Sequence, residues 1–574
     1  MITVAPSAFV GYMLFPVVGG PAAVPTQFIG CSAASGGGIA AVAENAYVLV
    51  GPGTVFKGNT AVGLVSDPNA GMGGAVFVGT ACTTVYLLGA VYTGNVAANA
   101  GGAVRLGQLN SAVTVAGGTF TRNVAQLGGA VSLGVGNGGG LVAALTPIAV
   151  LISDASFVQN SAASGGAFHA SNMNAARLLS CVLQGNQATA GDGGAVLLMP
   201  LTNTLSINNS VLAGNVASGR GGAVCSVTGN TVEMGSSTVR GNRAGTEGGG
   251  CFMGAASALR TYWTTSFVGN TCPPTNVAAR GGAVALAAGS SMLVGGPTTF
   301  ANNNASAGYG GAVSVLDSAL VVGPYAVNFT SNAAGEGSAL HLGNGATSTC
   351  TLQAGAGFGK VLVSGNAAVK GGTIAWVATP GSASPVAAAV AGGRMVVLAD
   401  NAAGFGGPTA TSTTALVPAG GAVARVVNVA VMDTSVLLAP TFQLVDMFAR
   451  LNTSDSASTV TASVLSSNCY SGASARHVGT VSGATVVTAA RGIVTFPNLT
   501  VGCYPGGNMT VKVRNMGVWI AHISHILPSL CGNMTVKVCV LNVLIGPTAC
   551  VARSRLRVPV ATVATPLRCV VCNV

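Results

Sequence analysis

Charged side chains are scarce in this chain of 574 residues, since Lys, Arg, Asp and Glu together make up only 6% of it, against about a quarter of an average soluble protein. Half of the residues are apolar, so the composition excludes disorder of the kind that combines high net charge with low hydrophobicity. Long amphipathic helices are also excluded, because the 85 glycines recur too often and the apolar spacing is not 3.6 residues. Ser, Thr, Asn and Gly must therefore fill most water-facing positions, which favours an all-β chain of short strands and turns.

Acidic residues and histidines, which carry most acid–base chemistry and metal binding, are also few. The chain has 12 Asp and Glu and 5 His, and these are dispersed except that His522 and His525 are close together. Glu233 with Asp192 or Glu247 is the best candidate for a catalytic pair, yet these acids occupy different places in the repeat described below. No nucleophile elbow, nucleotide-binding loop or HExxH motif is present. We therefore predict no catalytic residue, no cofactor-binding residue, no metal site and no enzyme activity.

Asparagine recurs along the first 400 residues, usually three residues after a Phe or another apolar residue. Between Asn160 and Asn270 the steps are 26, 29, 27 and 28 residues, and elsewhere some rise to between 33 and 37. A period in this range is typical of a solenoid. Asn tolerates left-handed backbone and can hydrogen-bond its neighbour in the next turn. We predict a structural ladder made of Asn59, Asn95, Asn123, Asn160, Asn186, Asn215, Asn242, Asn270, Asn303, Asn332, Asn366 and Asn401.

A second signal, Gly-Gly-Ala followed by an apolar residue, comes a few residues after each of these asparagines. Glycine permits positive φ and close backbone approach, which suits a bend between strands. Polar and apolar residues often alternate after the bend, which indicates a strand with one buried face. Complete copies begin at Gly73, Gly101, Gly128, Gly165, Gly193, Gly221, Gly281 and Gly310, and degenerate copies are predicted at Gly249-Gly250-Cys251-Phe252 and Gly371-Gly372-Thr373-Ile374.

The position at or next to the residue before each glycine pair is often charged, and the signs mostly alternate from turn to turn. If these positions stack, each charge lies near an opposite one, and an exposed pair of this kind contributes about 0 to 1 kcal/mol. Alternating signs would cancel the field of a binding stripe, so we interpret them as a structural charge ladder. Its members are Asp192, Arg220, Glu247, Arg280, Glu336 and Lys370, with Tyr309 between Arg280 and Glu336.

Four segments are predicted. Residues 1–30 form an N-terminal cap or a truncated leader, and residues 31–436 form a right-handed parallel β-helix of about twelve turns. Residues 437–515 form a small Ig-like or filamin-like β-sandwich, and residues 516–574 form an irregular, basic, Cys-containing tail. Seven basic residues and no acid follow residue 510, out of a net charge of +11. No nucleic-acid-binding motif accompanies them, so nucleic acid is not an expected partner. We also expect no transmembrane segment, because the uncharged windows contain Gly, Asn and Pro.

The pairing of FxxN with GGAV resembles the repeats of the chlamydial polymorphic outer membrane proteins, over about residues 30 to 430. This resemblance implies a pectin-lyase-like right-handed β-helix that is displayed outside the cell, often with an adhesive role. The Ala, Gly and Val bias is similar to that of eukaryotic extracellular proteins, notably from green algae, in which such repeats precede a sandwich domain. The FxxN matches are Phe56 to Asn59, Phe120 to Asn123, Phe157 to Asn160, Phe267 to Asn270, Phe300 to Asn303 and Phe329 to Asn332.

We therefore predict a non-catalytic, extracellular or cell-surface structural or adhesive protein. Its β-helix would be presented to an extracellular polysaccharide or to another surface protein. The alternative is a carbohydrate-active enzyme, a polysaccharide lyase or glycoside hydrolase, because the pectin-lyase-like class contains many of them. Two carboxyl groups about 5 to 9.5 Å apart in a groove beside a Lys or Arg would favour that alternative.

Overall fold

The structure is a computed structural model, and every element that it describes is a β-strand; no helix occurs within the described residues. None of these residues therefore forms a helix of the length and apolarity needed to cross a bilayer. The described residues are 2–4, 12–14, 25–42, 47–63, 70–81, 84–110, 112–137, 150–273, 275–343, 347–353, 358–377, 395–405, 409–411, 415–419, 435–446, 449–471, 475–477, 479–502, 508–515, 518–525 and 536–539.

Parallel strands stack into a β-solenoid of ten or more turns, which confirms the predicted all-β, stacked architecture. Along most turns the chain passes through four sheets, which we name A, B, C and D in that order. Neighbouring strands in a sheet come from consecutive turns and pair in register, as Val104 with Val131 and Val131 with Phe168 in sheet A. Each column of side chains therefore contains one residue from every turn.

The strands of each sheet are short, and their bounds are as follows. Sheet A contains Ile2–Val4, Ile39–Ala41, Val76–Val78, Val104–Leu106, Val131–Leu133, Phe168–Ala170, Val196–Leu198, Val224–Thr228, Cys251–Ala255, Val284–Ala287, Val313–Leu316, Leu340–Gly343, Ile374–Trp376 and Thr409–Thr411. Sheet B contains Tyr12–Leu14, Tyr47–Val50, Thr84–Leu88, Ala112–Ala116, Val150–Ser153, Ala175–Leu179, Thr204–Asn208, Thr231–Gly235, Ala258–Tyr262, Ser291–Val294, Ala319–Val322 and Thr349–Leu352. Sheet C contains Gln27–Ile29, Val55–Lys57, Val91–Thr93, Thr119–Thr121, Ser156–Val158, Val182–Gln184, Val211–Ala213, Thr238–Arg240, Thr265–Val268, Thr298–Ala301, Val327–Thr330, Val361–Ser364 and Val396–Ala399. Sheet D contains Ser32–Ala33, Thr60–Ala61, Val96–Ala97, Val124–Leu127, Ser161–Ser164, Gln187–Ala188, Val216–Ala217 and Arg243–Ala244, and it resumes with Asn304–Tyr309, Ala333–Glu336 and Ala367–Ala368.

The interior of the solenoid is a continuous apolar core, and the Phe of each FxxN motif lies within it on sheet C. Consecutive turns place these rings directly above one another, so Phe56, Tyr92, Phe120 and Phe157 stack with centroids 4.5 to 5.0 Å apart and planes within 7° of parallel. The separation follows from the strand spacing of about 4.8 Å. Aromatic and aliphatic residues therefore share one column that no single turn could bury alone.

The asparagine of each FxxN motif lies at the bend between sheets C and D, and eleven of the twelve are buried. The side-chain Nδ2 of each donates to Oδ1 of the asparagine one turn further on, at 2.9 to 3.0 Å in all eleven steps from Asn59 to Asn401. The backbone N–H donates to the same oxygen, and Nδ2 also donates to a carbonyl of the preceding turn, as Asn95 does to Phe56. An interior rung thus satisfies all four hydrogen bonds that an amide can form.

The glycine pair forms the bend before sheet A, and its two members have different structural roles. Gly221 has a φ of +66°, a region that side chains disfavour. Gly222 instead approaches the next turn so closely that a Cβ there would lie 2.1 Å from the carbonyl oxygen of Gly249. The degenerate copy predicted to begin at Gly249 begins one residue earlier, at Gly248. Gly248 has the positive φ, and Val224 pairs with Cys251.

A second asparagine ladder, which was not predicted from the sequence, lies at the bend between sheets A and B. The same hydrogen bonds join its members, with side-chain distances of 2.8 to 3.3 Å. Its steps of 27, 37, 29 and 27 residues lie in the same range as those of the first ladder, which is the signal that would have revealed it. Its members are Asn110, Asn137, Asn174, Asn203 and Asn230.

Antiparallel strands follow the solenoid and enclose a second apolar core that includes Phe442 and Phe496. Their arrangement as a sandwich, and the boundary at residue 437, stay predictions. The predicted cap at residues 1–30 and the predicted tail at 516–574 lie mostly outside the described residues. The antiparallel strands are Ala415–Pro418, Ser435–Leu438, Thr441–Val445, Thr459–Ser471, Ala475–His477, Thr480–Gly483, Val486–Thr488, Ile493–Thr495, Leu499–Gly502, Asn508–Asn515, Val518–His525 and Val536–Cys539.

Candidate functional site

The charge-ladder residues each directly precede the first glycine of a bend, in one column beside sheet A. Asp192 forms a two-point ion pair with Arg220, at 2.7 Å from Oδ2 to Nη2 and 3.2 Å to Nε. Glu247 lies 3.7 Å from Arg280. These pairs are partly exposed, so each stabilises the fold by about 1 kcal/mol or less. The charges neutralise one another within the column, and the column offers no field of one sign to a ligand.

The last two members of the ladder differ from the others. Burial raises the pKa of the Glu336 carboxyl, and the nearby positive charge of Lys370 opposes that rise only in part.

Arg220, an earlier member of the ladder, covers the ring of Phe252, with the guanidinium carbon 4.6 Å from the centroid. The ladder therefore serves as a cover over the outer face of sheet A, where Phe252 packs with Leu197 and Cys225.

The candidate catalytic acids do not share a site. Glu233 projects from the outer face of sheet B and pairs with Arg260 on the next strand, at 3.3 Å. Asp192 and Glu247 belong to the bend before sheet A, and each has its own arginine. Across the part of the chain that the structure describes, no group of three or more His, Cys, Asp or Glu side chains is arranged to hold a metal ion.

The outer face of sheet B carries an open cleft, which we name the aromatic cleft. It consists of two hollows of about 530 and 420 Å³ that share Arg177, Asn208 and Trp263. The first hollow is lined in addition by Ser206, Glu233, Tyr262, Gly295, Gly296, Pro297 and Tyr325, and the second by Leu179, Asn209, Gly235 and Ser236.

Trp263 lines both hollows, and 67% of it is exposed to solvent. A Cβ at Gly235 would lie 2.5 Å from the indole and 2.6 Å from Oδ1 of Asn208. The indole therefore lies back across Gly235 toward Asn208, a position that the missing side chain makes possible. An exposed ring held in this way leaves one face for a flat apolar surface, such as that of a sugar ring or another aromatic group.

The backbone of Trp263 is in the left-handed region, with a φ of +51°. This conformation recurs in the column up to Trp263, because the residue two positions before each sheet C strand adopts it in the seven preceding turns. Those turns use residues that tolerate it or that are at least small, whereas a bulky aromatic residue there is a conformational outlier. The preceding members of the column are Gly53, Gly89, Gly117, Asp154, Ser180, Asn209 and Ser236, with φ between +50° and +79°.

Two turns beyond Trp263, Tyr325 occupies the equivalent position and is 46% exposed, with Gly296 in the turn between them. Two strand spacings separate the backbones of Trp263 and Tyr325 by about 10 Å. Both aromatic residues line the first hollow. The column therefore presents two exposed rings along the solenoid at a separation of the order of the length of a disaccharide.

The polar groups of the cleft come from two columns of sheet B. In the first, Arg177, Ser206, Glu233 and Arg260 follow one another in register. In the second, Asn208 donates a hydrogen bond of 2.8 Å to Ser206. Glu233 is the only acid that lines the cleft in the described part of the protein, so the site offers hydrogen bonds and positive charge but no second carboxylate.

The two histidines of the solenoid lie on the outer side of sheet A, away from the aromatic cleft. His169 accepts or donates a 3.0 Å hydrogen bond with Ser132, which also binds Arg105. Burial, reinforced by the charge of Arg105, lowers the pKa of His169 to about 3, and burial together with Arg280 lowers that of His341 to about 3. Both rings are neutral and covered at neutral pH, so we assign them a packing role.

The fold defines the chain as a parallel β-solenoid, or β-helix, protein with an aromatic cleft on one sheet. Comparison with protein-family models, with curated proteins and with solved structures finds no match. Among the residues of the cleft, only Glu233 was predicted from the sequence as a candidate. The signal was present in the repeat alignment, where an aromatic residue replaces Gly, Asp, Ser or Asn two positions before a sheet C strand.

Proposed function

We propose that this protein is an extracellular or cell-surface adhesive protein that binds a polysaccharide in its aromatic cleft without catalysing a reaction. The proposal includes the finer identity implied by FxxN and GGAV, namely a right-handed, pectin-lyase-like β-helix with polymorphic outer membrane protein repeats. The repeat resemblance supports the surface location. The parallel solenoid is compatible with that identity, because the Phe and Asn of each motif have the same place in every turn.

The observation that carries the proposal is Trp263, since the fold gains little from it. Most of its surface is exposed, so its burial contributes little hydrophobic stabilisation. Its left-handed backbone costs about 1 to 2 kcal/mol relative to glycine. Seven preceding turns use smaller residues at the equivalent position. A costly, exposed aromatic residue that lines two hollows is best explained by stacking on a ligand.

The non-catalytic part of the proposal rests on the acids. A glycoside hydrolase needs two carboxyl groups across the scissile bond, and Glu233 is the sole acid lining the described cleft, where it is paired with Arg260. The alternative function is a polysaccharide lyase or hydrolase. What favours it is the same residue, because Glu233 beside an arginine in an open cleft is where a single acid or base would lie.

The test is a glycan array, followed by affinity electrophoresis in the polymers that bind, with the full chain and three variants. We expect W263A and W263G to lose binding and W263F to retain part of it, because Phe keeps a ring for stacking. W263G should be at least as stable to heat as the wild type, which separates loss of binding from loss of fold. A reducing-sugar assay and an assay for unsaturated products are run on every polymer that binds.

Two results would contradict the proposal. Equal binding by W263A and the wild type would show that the aromatic cleft is not the site. Turnover of any bound polymer would replace adhesion with the enzyme alternative, and E233Q would then be expected to abolish that turnover.

A further inference from the structure

One cation of the aromatic cleft has no acidic partner. Arg177 is exposed on the strand Ala175–Leu179 and lines both hollows. The four ion pairs among the described residues join other arginines, and Arg177 takes part in none of them. Glu233 in the same column is bound to Arg260 instead. The cleft therefore holds one uncompensated positive charge.

The position of Arg177 relative to Trp263 constrains the ligand. Both side chains line both hollows, with Asn208 between them. A planar guanidinium forms two parallel hydrogen bonds with a carboxylate or a sulfate-like oxyanion. A ligand that stacks on Trp263 and reaches Arg177 must therefore combine a flat apolar face with an anionic group, and Ser206 and Asn208 supply hydrogen bonds for hydroxyl groups beside them.

We infer that the aromatic cleft selects an anionic polysaccharide, in which one sugar ring stacks on Trp263 while its carboxylate or sulfate group pairs with Arg177. This inference rests on the proposed function and adds the chemical class of the ligand. The two hollows that Trp263 lines, and the exposed ring of Tyr325 two turns away, accommodate neighbouring units of the same chain. The polymer then runs along the solenoid axis, across successive turns.

The alternatives are a neutral polysaccharide and unspecific attraction between any polyanion and a protein with a net charge of +11. A neutral polymer would leave Arg177 without a function in binding. Unspecific attraction would depend on total charge and not on the position of any one arginine. Arg240 provides a matched control, because it is also exposed but lies on sheet C, outside the cleft.

The experiment measures dissociation constants for the full chain with two matched pairs of polymers at about 150 mM salt, where distant charges are screened. The first pair is polygalacturonate and its methyl ester, and the second is dextran sulfate and dextran. We expect the protein to bind the charged member of a pair and to bind its neutral counterpart at least about tenfold more weakly. R177Q should weaken binding to the charged polymer about tenfold, a change equal to about 1.4 kcal/mol, while R240Q should leave it within about twofold.

The outcomes separate the two levels of the proposal. Preference for the carboxylate polymer or for the sulfate polymer supports the inference in either case and identifies the anionic group. Equal affinity for charged and neutral polymers, together with loss of binding in W263A, overturns the anionic inference and leaves the proposed function standing. Equal losses for R177Q and R240Q overturn it in favour of unspecific attraction. No binding to any polysaccharide overturns both the inference and the proposed function.

Discussion

Replacing one interior asparagine by alanine should destabilise the solenoid far more than a surface substitution does. Asn215 is fully buried, and its Nδ2 donates to Leu183 and to Asn242 at 3.0 and 2.9 Å. Its Oδ1 accepts from the backbone N–H and from Nδ2 of Asn186, both at 2.9 Å. N215A removes all four bonds and leaves two buried donors of Asn186 without this acceptor.

The size of the expected stability loss follows from the buried polar groups that N215A leaves without partners. A buried donor or acceptor without a partner costs about 1 to 3 kcal/mol, and the bonds to the side chain of Asn242 and to the carbonyl of Leu183 are lost as well. We expect N215A to lower the free energy of unfolding by about 3 to 5 kcal/mol. N401A is the matched control, because Asn401 ends the ladder and is only partly buried, so that water replaces its bonds. Its expected loss is about 1 kcal/mol.

Hydrogen exchange is the appropriate assay, because a stacked solenoid can open locally and a single unfolding midpoint would average over turns. Amides of the turns that contain Asn186 and Asn215 should exchange faster in N215A, and those near the end of the ladder should not. Equal losses for N215A and N401A, or a loss below about 1 kcal/mol for N215A, would refute the assignment of the ladder as a major source of stability.

Three further predictions test the bends, the buried histidines and the thiols. G222A should lower stability by at least about 2 kcal/mol in a thermal or urea melt, because its Cβ would meet the carbonyl of Gly249, while G214A, with open space around its Cβ, should lose only about 1 kcal/mol. The unfolded state binds more protons than the folded state below pH 6.5, since burial lowers the pKa of His169 to about 3; the wild type should therefore lose about 2 kcal/mol more than H169Q between pH 7 and pH 5 in urea titrations, and parallel curves would contradict this. Burial raises the pKa of Cys181 to about 11 and of Cys251 to about 12, so mass spectrometry should find both unalkylated in the native protein after the partly exposed Cys31 has reacted with maleimide.

The solenoid could be predicted because its requirements recur in every turn. Stacked strands place equivalent residues about 4.8 Å apart, so a residue that suits one bend suits all of them, and Asn and Gly repeat at readable intervals. The Phe of FxxN recurs for the same reason, since each ring packs on the next. The antiparallel region lacks such repetition, and its sandwich arrangement stays a prediction.

The errors and omissions have local physical causes. Three consecutive glycines at 248–250 allow two alignments of the bend, and only the pairing of Val224 with Cys251 decides between them. The second asparagine ladder has no aromatic residue three positions before each Asn, so no motif drew attention to it. Side-chain direction could not be predicted for Arg177 or Glu233, because it depends on which residues of a sheet B strand face outward, and the insertions between repeats hide that register.

The aromatic cleft escaped prediction because it occurs once, and a repeat search rewards what recurs. The column that contains Trp263 nevertheless supplies its own control. Glycine, serine, aspartate and asparagine show what the left-handed bend requires in the preceding turns, so the change to tryptophan cannot be attributed to the fold. Gly235 strengthens the case, because the neighbouring turns carry Asn208 and Tyr262 at this outer position of sheet B, while Gly235 leaves space there for the indole. A costly residue and the space that receives it lie in adjacent turns, and in a solenoid that combination separates a binding site from the structural repeats around it.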